Sequence, residues 1–231
     1  MTTSESPAPP PPATVRDLLR ATVDQHVRRL QRGYRNDEAT AVATLARLRR
    51  GVGRPALTVP DLLGLTGMER LIEGVDELPD DERRRLNPEH AEEALHLAVT
   101  LWALHQQSHR DGGMHLHGRG LGAAVRALMR NASGGGDTEL DEPLRRRFVR
   151  VSTAASPDDL ARRLREIVLL LRRDSVPLDY GLLAEQLYRW QTPATRADVH
   201  RAWGRDFHLA GARGAKGPAP AGPPAQETPA A

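Results

Sequence analysis

Residues 88–130, PEHAEEALHLAVTLWALHQQSHRDGGMHLHGRGLGAAVRALMR, decide the fold class, because two apolar helical patterns flank a turn rich in glycine, histidine and arginine. Pro88 suits the first turn of a helix, because the backbone N–H that proline lacks has no helical partner there. Apolar residues then recur at spacings of three, four and seven, which predicts one buried helical face. This face consists of Leu95, Ala98, Val99 and Trp102. Gly112 and Gly113 are expected to end the helix, and the same period restarts at Leu121. Two such helices cannot bury both faces alone, so further helices must pack against them.

Helical patterns continue on both sides of this stretch. The first predicted helix covers residues 14–32, with Thr14 as its N-cap. A second runs from Asn36, with Asp37 and Glu38 in its first turn, to Gly51 as its C-cap. Later helices are predicted at 140–154, from the N-cap Ser156 to Arg173, from the N-cap Asp179 to Trp190, and from Thr192 to about Leu209. Residues 55–87 are interrupted by proline and glycine and are expected to form short helical turns. Neither sustained strand alternation nor an Asn-Gly hairpin turn occurs. The sequence therefore predicts an all-α fold, a single-domain bundle of about eight to nine helices.

The two ends of the chain differ in composition from the middle. Residues 1–13 and 211–231 consist largely of Pro, Ala, Gly and Ser, and such segments bury too little apolar surface to fold. We expect them to be disordered tails around a helical domain at 14–210, with any division into two lobes near 131–140. Cysteine is absent, which excludes disulfides and thiolate metal sites. No signal peptide or membrane-spanning run is present, so a cytoplasmic protein without a membrane partner is expected.

The motifs of common active sites are incomplete in this sequence. His105 and His109 are four residues apart, as in zinc-binding helices, but Gln106 stands where a zinc protease has its glutamate. The glycines of GRGLG (118–122) follow a helix and a loop, and the Gly-Lys-Ser/Thr of a phosphate-binding loop is missing. No nucleophile motif occurs. We therefore predict no enzymatic activity, no catalytic residue, no cofactor and no metal ligand; a metalloenzyme that also uses His115 and His117 is the least favoured alternative.

Arginine clusters are the remaining functional signal. The net charge is only +3, yet Lys216 is the single lysine among 33 basic residues. Arginine suits phosphate oxygens, although a GC-rich genome explains the bias equally well. Clusters at helix ends and starts can hold a chain of phosphates, although arginines at a helix C-terminus also complement the helix dipole. The predicted nucleic-acid contacts are Arg49, Arg50, Arg54, Arg119, Arg172, Arg173, Arg201 and Arg205.

Five segments in order carry a family resemblance: LARLRRGVGRPALTVPDLLGL, EEALHLAVTLWALHQQSH, MHLHGRGLGAAVRALM, RRFVRVSTAASPDDLARRLREIVLLLRRDSVPLDYGLLAEQLYRWQ and RAWGRDF. Together they resemble the CasB family, the small subunit of Cascade, the type I-E CRISPR surveillance complex of antiviral defence. The resemblance covers roughly residues 14–210. It implies an all-α, non-catalytic subunit of a cytoplasmic ribonucleoprotein.

The resemblance also implies partners and places some of the arginines. A pair of such subunits contacts the other Cascade subunits (the backbone and the large subunit) and helps to hold the guide RNA–target DNA heteroduplex and the displaced DNA strand, which stabilises the R-loop. LARLRRG places Arg49 and Arg50 in the basic patch of the family, GRGLG places Arg119, and LLRRDSVPLDY places Arg172 and Arg173. The main alternative is a helical adaptor that binds only protein, with Trp190 and Trp203 as its anchors.

Overall fold

The computed structural model describes residues 12–62, 64–132 and 141–215. Within these ranges the chain forms ten α-helices: α1 (Val15–Arg35), α2 (Ala39–Leu48), α3 (Met68–Val75), α4 (Asp80–Arg85), α5 (Pro88–Gln106), α6 (Leu121–Ala132), α7 (Glu142–Ser152), α8 (Pro157–Arg173), α9 (Tyr180–Trp190) and α10 (Pro193–Ala215). Three 3₁₀ turns, Arg49–Gly51, Ala56–Thr58 and Pro60–Leu62, follow α2. The all-α prediction is confirmed, and residues 55–87 contribute the short α3 and α4. Across the described ranges, no helix is long and apolar enough to cross a membrane.

Helix α5 is the centre of the fold. Every residue from Ala94 to Gln106 is buried, so the prediction of a single buried face was wrong. Helices α1, α2, α8 and α9 all pack against α5, and a helix that is covered on every side must lie inside the core. Trp102 is fully buried there. The α5 helix is thus the buried centre of the core, and the surrounding helices pack against it.

Side-chain caps fix where several helices begin. The Thr14 hydroxyl accepts a hydrogen bond from the Asp17 N–H, and the Ser156 hydroxyl accepts one from the Asp159 N–H, each at 3.2 Å. The Asp179 carboxylate accepts from the Leu182 N–H at 2.9 Å. All three caps were predicted, because each satisfies a backbone donor that the first helical turn leaves free.

The ends of two helices differ from the predictions. Asp37 adopts a positive φ of 60°, and α2 begins only after Glu38, so neither acidic residue lies in its first turn. Gly51 is not a left-handed C-cap: it lies in the 3₁₀ turn and is buried against Leu62 and Thr100. Helix α10 continues to Ala215, beyond the predicted end near residue 209 and into the segment expected to be a tail.

Helix α5 ends six residues before the predicted stop at Gly112. The buried Gln106 side chain replaces the helical hydrogen bonds that are lost there. Its amide nitrogen donates to the carbonyls of His109 and Gly112, at 2.6 and 3.0 Å, and its oxygen accepts from the Met114 N–H at 2.8 Å. One side chain therefore stabilises the whole loop. The predicted lobe break near 131–140 and most of both predicted tails lie outside the described residues.

Helices α6 and α10 pack closely because of Gly122. A Cβ atom at this position would clash with the backbone carbonyl of Trp203 and would lie 2.5 Å from the backbone nitrogen of Phe207. The Asp206 carboxylate also accepts from the Ala123 N–H at 3.0 Å, at the start of α6. Glycine is therefore required at residue 122 for this backbone-to-backbone contact.

Candidate nucleic-acid interface

The clearest basic feature is the turn formed by residues 49–54, here called the arginine turn. It follows α2 and packs on α5. The buried His96 of α5, only 3 % exposed, supports it from below. The Nε2 atom of His96 lies 2.9 Å from the Arg54 carbonyl and 3.4 Å from the Gly51 carbonyl. Because both neighbours are acceptors, Nε2 carries the hydrogen and donates.

Two further contacts hold the same turn. The Glu93 carboxylate of α5 accepts from the Ala56 N–H at 3.1 Å, just after the turn. Gly51 leaves no room for a side chain, since a Cβ there would lie 3.0 Å from Thr100 Cγ2 and closer still to Leu62. Gly53 adopts a positive φ of 76°, which permits the reversal of the chain. The backbone of the arginine turn is thus fixed by the core.

Within the described part of the chain, the guanidinium groups of the arginine turn have no acidic partners. Arg50 and Arg54 are exposed, and Arg49 is half-buried. Among the described residues, none of these three arginines forms an ion pair, and Arg49 Nε is buried without a hydrogen-bond partner. Nearby Arg47 donates to the backbone carbonyl of Asp61 at 2.6 Å, so its charge also remains uncompensated. The turn therefore presents positive charge from a fixed backbone.

The predicted arginines at the end of α8 take part in local structure. Arg172 donates through Nε to the Gln107 carbonyl at 3.2 Å, and its own carbonyl accepts from His109 Nε2 at 3.0 Å. These bonds join the end of α8 to the loop after α5. Arg173 is exposed but forms an ion pair with Asp174 at 2.9 Å. A phosphate would have to compete with these existing contacts.

The other predicted arginines lie near α6 and α10. Arg119 is half-buried and lines a groove between these helices together with Arg130 and Asp206. Arg201 forms an ion pair with Asp198 on the same helix. Arg205 is exposed, and no ion pair is found for it within the described part of the chain. These residues belong to a different layer, because α10 packs on α6 and α9 whereas the arginine turn packs on α2 and α5.

The structure therefore brings together only part of the predicted set. Arg49, Arg50 and Arg54 form one patch, and the remaining five arginines are distributed over the end of α8 and the α6–α10 layer. The role of His96 could not be predicted from the sequence, since the carbonyl it supports lies 42 residues earlier in the chain. No local pattern marks such a contact.

The histidine pair of the metalloenzyme alternative is engaged in separate contacts. The Nδ1 atom of His105 lies 2.8 Å from the Tyr180 hydroxyl, and His109 donates to the Arg172 carbonyl. Burial, with a smaller contribution from the charge of His109, lowers the pKa of His105 to about 3. These contacts give the zinc interpretation of this pair no support.

The fold and the arginine turn together define a class: all-helical proteins that expose unpaired guanidinium groups on a fixed turn. The comparisons then identify the family. This chain belongs to the Cse2 (CasB) family of CRISPR-associated proteins, because the family model for CRISPR-associated protein Cse2 matches residues 44–208. The resemblance found in the sequence is confirmed.

Solved structures agree with this assignment. The crystal structure of CasB from Thermobifida fusca is 51 % identical, covers 83 % of this chain and 98 % of its own chain, and superposes with a TM-score of 0.70. TTHB189, a Cse2-family protein from Thermus thermophilus, is 24 % identical over 85 % of this chain and 99 % of its own, with a TM-score of 0.52. A chain of a CRISPR RNA-guided surveillance complex is 24 % identical over 84 % and 96 %, with a TM-score of 0.59, which shows a shared fold. No curated protein sequence matches significantly.

Proposed function

We propose that this chain is a non-catalytic small subunit of a type I-E Cascade complex, and that its arginine turn binds the nucleic-acid backbone. Family membership supports the first part of the proposal, as does the fold shared with a chain of an RNA-guided surveillance complex. Its partners are then the backbone and large subunits, a second copy of itself, the guide RNA, and the target and displaced DNA strands. In this role it stabilises the R-loop during CRISPR interference in the cytoplasm.

One observation carries the nucleic-acid part of the proposal: three arginines that have no acidic partner among the described residues lie on a turn that the core already holds in place. Guanidinium groups bind phosphate oxygens through paired hydrogen bonds. A fixed turn loses little conformational entropy on binding, so more of the interaction energy appears as affinity. In an RNA-guided complex the guide reads the sequence by base pairing, and a subunit of this kind needs only backbone contacts.

The other five predicted arginines are proposed as secondary contacts. Arg119 and Arg205 have no ion pair among the described residues and can bind phosphate directly. Arg173 and Arg201 must first release Asp174 and Asp198. An exposed ion pair contributes little free energy, so this exchange costs little for either residue. Arg172 keeps its structural bond to Gln107.

Fluorescence anisotropy with labelled single-stranded DNA, measured over a series of salt concentrations, tests the proposal. If about four phosphates are neutralised, log affinity falls with log salt at a slope of roughly −3, and the three arginines of the turn account for roughly −2 of it. The variant Arg49→Ala/Arg50→Ala/Arg54→Ala should therefore bind weakly, and its salt slope should fall to roughly −1. The loss should be the same for all DNA sequences.

A variant of equal charge provides the control. Arg145→Ala/Arg146→Ala/Arg162→Ala removes three arginines that already pair with Glu142 or Asp159, and it changes the net charge by the same amount. We expect this variant to bind almost as the wild type does. Equal weakening of both variants, or no binding by the wild type, would refute the role of the arginine turn.

The two tryptophans proposed as anchors of a protein-only adaptor are buried. Trp190 and Trp203 are both 0 % exposed, and the Trp203 indole donates to the Gln186 side chain at 2.7 Å inside the core. A hot-spot tryptophan must be available to enter a pocket of the partner. Neither tryptophan can therefore serve as an anchor in this fold.

A further inference from the structure

Three elements that are distant in the sequence meet at a second cluster of polar side chains. Asp24 of α1, His117 of the loop before α6, and Asp179 at the start of α9 each offer one ligand atom, and these atoms lie within 4.8 Å of one another. His117 Nδ1 is 3.3 Å from Asp24 Oδ1 and 3.8 Å from Asp179 Oδ2. Ligands of a four-coordinate zinc ion, bound at about 2.1 Å, are separated by roughly 3.4 Å. The two separations from His117, 3.3 and 3.8 Å, are close to that requirement.

We propose that Asp24, His117 and Asp179 form a binding site for a divalent transition-metal ion such as Zn²⁺. One imidazole nitrogen and two carboxylate oxygens are ordinary zinc ligands, and zinc ranks near the top of the affinity order for such mixed sites. The His117 side chain is 55 % exposed, so the cluster opens to solvent on one side. An ion can enter from there, and water can complete its coordination.

The surroundings of the two carboxylates support this assignment. The Tyr180 N–H donates to His115 Nδ1 at 3.1 Å, so His115 must carry its hydrogen on Nε2. That hydrogen is donated to Asp24 Oδ1 at 2.9 Å. Metal-binding carboxylates are typically oriented by hydrogen bonds of this kind. The buried His115 therefore fixes the Asp24 carboxylate without itself entering the site.

Asp179 is held even more firmly. Its side chain is 0 % exposed, Oδ1 accepts from the Leu182 N–H, and Oδ2 accepts from the Gly118 N–H at 2.7 Å. Gly118 directly follows His117, so the same hydrogen bond brings the histidine loop against α9. Both carboxylates are thus set in position by hydrogen bonds from neighbouring groups.

Two arginines balance the charge of the carboxylates, and only one of them competes with a metal ion. Arg28 binds Asp24 through Oδ2 at 3.1 Å, whereas the oxygen nearest His117 is Oδ1, so this pair can persist. Arg20 binds Asp179 Oδ2 at 3.2 Å, the same atom that faces His117. The Arg20 side chain is 35 % exposed and can turn outward. Removal of its guanidinium should therefore strengthen metal binding.

This site is distinct from the histidine pair considered in the sequence analysis. It uses neither His105 nor His109, and its two carboxylates are 155 positions apart in the chain. It is also independent of the arginine turn, which packs on the α2–α5 side of the fold. Metal binding and DNA binding can therefore fail separately.

Isothermal titration of the untagged full chain with ZnCl₂ alone tests the proposal. Wild-type protein should bind one zinc ion per chain, and its melting temperature should rise in the presence of zinc. His117→Ala should weaken zinc binding by at least about tenfold and should abolish the thermal shift. The control His208→Ala removes an exposed histidine from α10 and should bind as the wild type does. Arg20→Gln should bind zinc more tightly than the wild type.

Three results would overturn the proposal. The first is a wild-type chain that binds no zinc when the metal is in excess. The second is a His117→Ala variant with unchanged affinity, because zinc would then be bound by other histidines. The third is an Arg20→Gln variant that binds no more tightly, which would exclude Asp179 Oδ2 as a ligand. If circular dichroism shows that His117→Ala is not folded, His117→Gln replaces it in the same comparison.

Discussion

His96 connects the core to the arginine turn, so its replacement tests whether a fixed turn is what makes the arginines effective. His96→Ala removes the donor to the Arg54 and Gly51 carbonyls without changing any arginine. The Gly51 carbonyl still accepts from the Arg54 N–H, but the Arg54 carbonyl loses the His96 bond, and a part-buried acceptor left without a donor costs about 1–3 kcal/mol. The cavity left by the imidazole adds roughly 1 kcal/mol. We therefore expect the free energy of unfolding to fall by about 2–4 kcal/mol.

The same variant should bind DNA more weakly for an entropic reason. The turn must now be ordered during binding, and ordering a few side chains and their backbone costs about 1–2 kcal/mol. The dissociation constant should then rise by about 5- to 30-fold at fixed salt. All three guanidinium groups still reach phosphate in the bound state, so the salt slope should stay as in the wild type. Lower affinity at constant slope separates this effect from a loss of charge.

Urea denaturation gives the stability, and fluorescence anisotropy over a salt series gives the binding. Binding is measured where the variant is still folded, and His96→Gln serves as the partner variant because its amide can donate again to the Arg54 carbonyl. We expect His96→Gln to recover much of both losses. If His96→Ala is destabilised but binds DNA as tightly as the wild type, the rigidity of the turn has no role in recognition.

Two further predictions concern the fold itself. Gly122→Ala should lower the free energy of unfolding by about 1–3 kcal/mol, because its Cβ would push α6 away from the backbone of α10 at Trp203. Gly204→Ala is the control, since a Cβ there would meet nothing within 4 Å. This variant should be neutral or stabilising in the same urea assay. Burial lowers the pKa of His26 from 6.5 to about 4, against the opposing hydrogen bond to the Leu65 carbonyl. Between pH 4 and pH 6.5 the unfolded chain therefore binds more protons than the folded chain does. The free energy of unfolding is unaffected by His26 above pH 6.5 and falls, by up to about 3 kcal/mol, as the pH drops toward 4. His26→Gln should flatten this dependence in urea titrations at several pH values, and an unchanged slope would show that other groups cause it.

Local signals in the sequence predicted most helix starts and missed the centre of the fold. Thr14, Ser156 and Asp179 cap their helices through bonds that span only three residues, so the sequence contains both partners side by side. The complete burial of α5 depends on partners far away in the chain. His96 and Gln106 read as polar breaks in an apolar pattern, although their bonds place them inside the core. Such bonds leave no trace in the periodicity of the sequence.

The separation of free from paired arginines was partly visible in the sequence. Arg173 is followed at once by Asp174, and Asp198 lies three residues before Arg201, so local ion pairs were to be expected at both places. The segment 39–60, which contains the arginine turn, has no aspartate or glutamate at all. This absence is a local signal for uncompensated charge, and it distinguishes the turn from the other clusters better than the arginine count does.

Different parts of the chain supply the positive charge of the arginine turn and the contacts that fix its backbone. The acid-free segment 39–60 supplies guanidinium groups without local partners, while α5 supplies His96 and Glu93, which hold the backbone on either side of Arg54. Neither contribution is sufficient alone, because free arginines on a flexible loop lose binding energy to ordering, and a fixed turn of paired arginines offers no net charge. The net charge of the whole chain, only +3, therefore says little about binding. The local balance of charge on a backbone that is already ordered is the quantity that determines affinity for a phosphate chain.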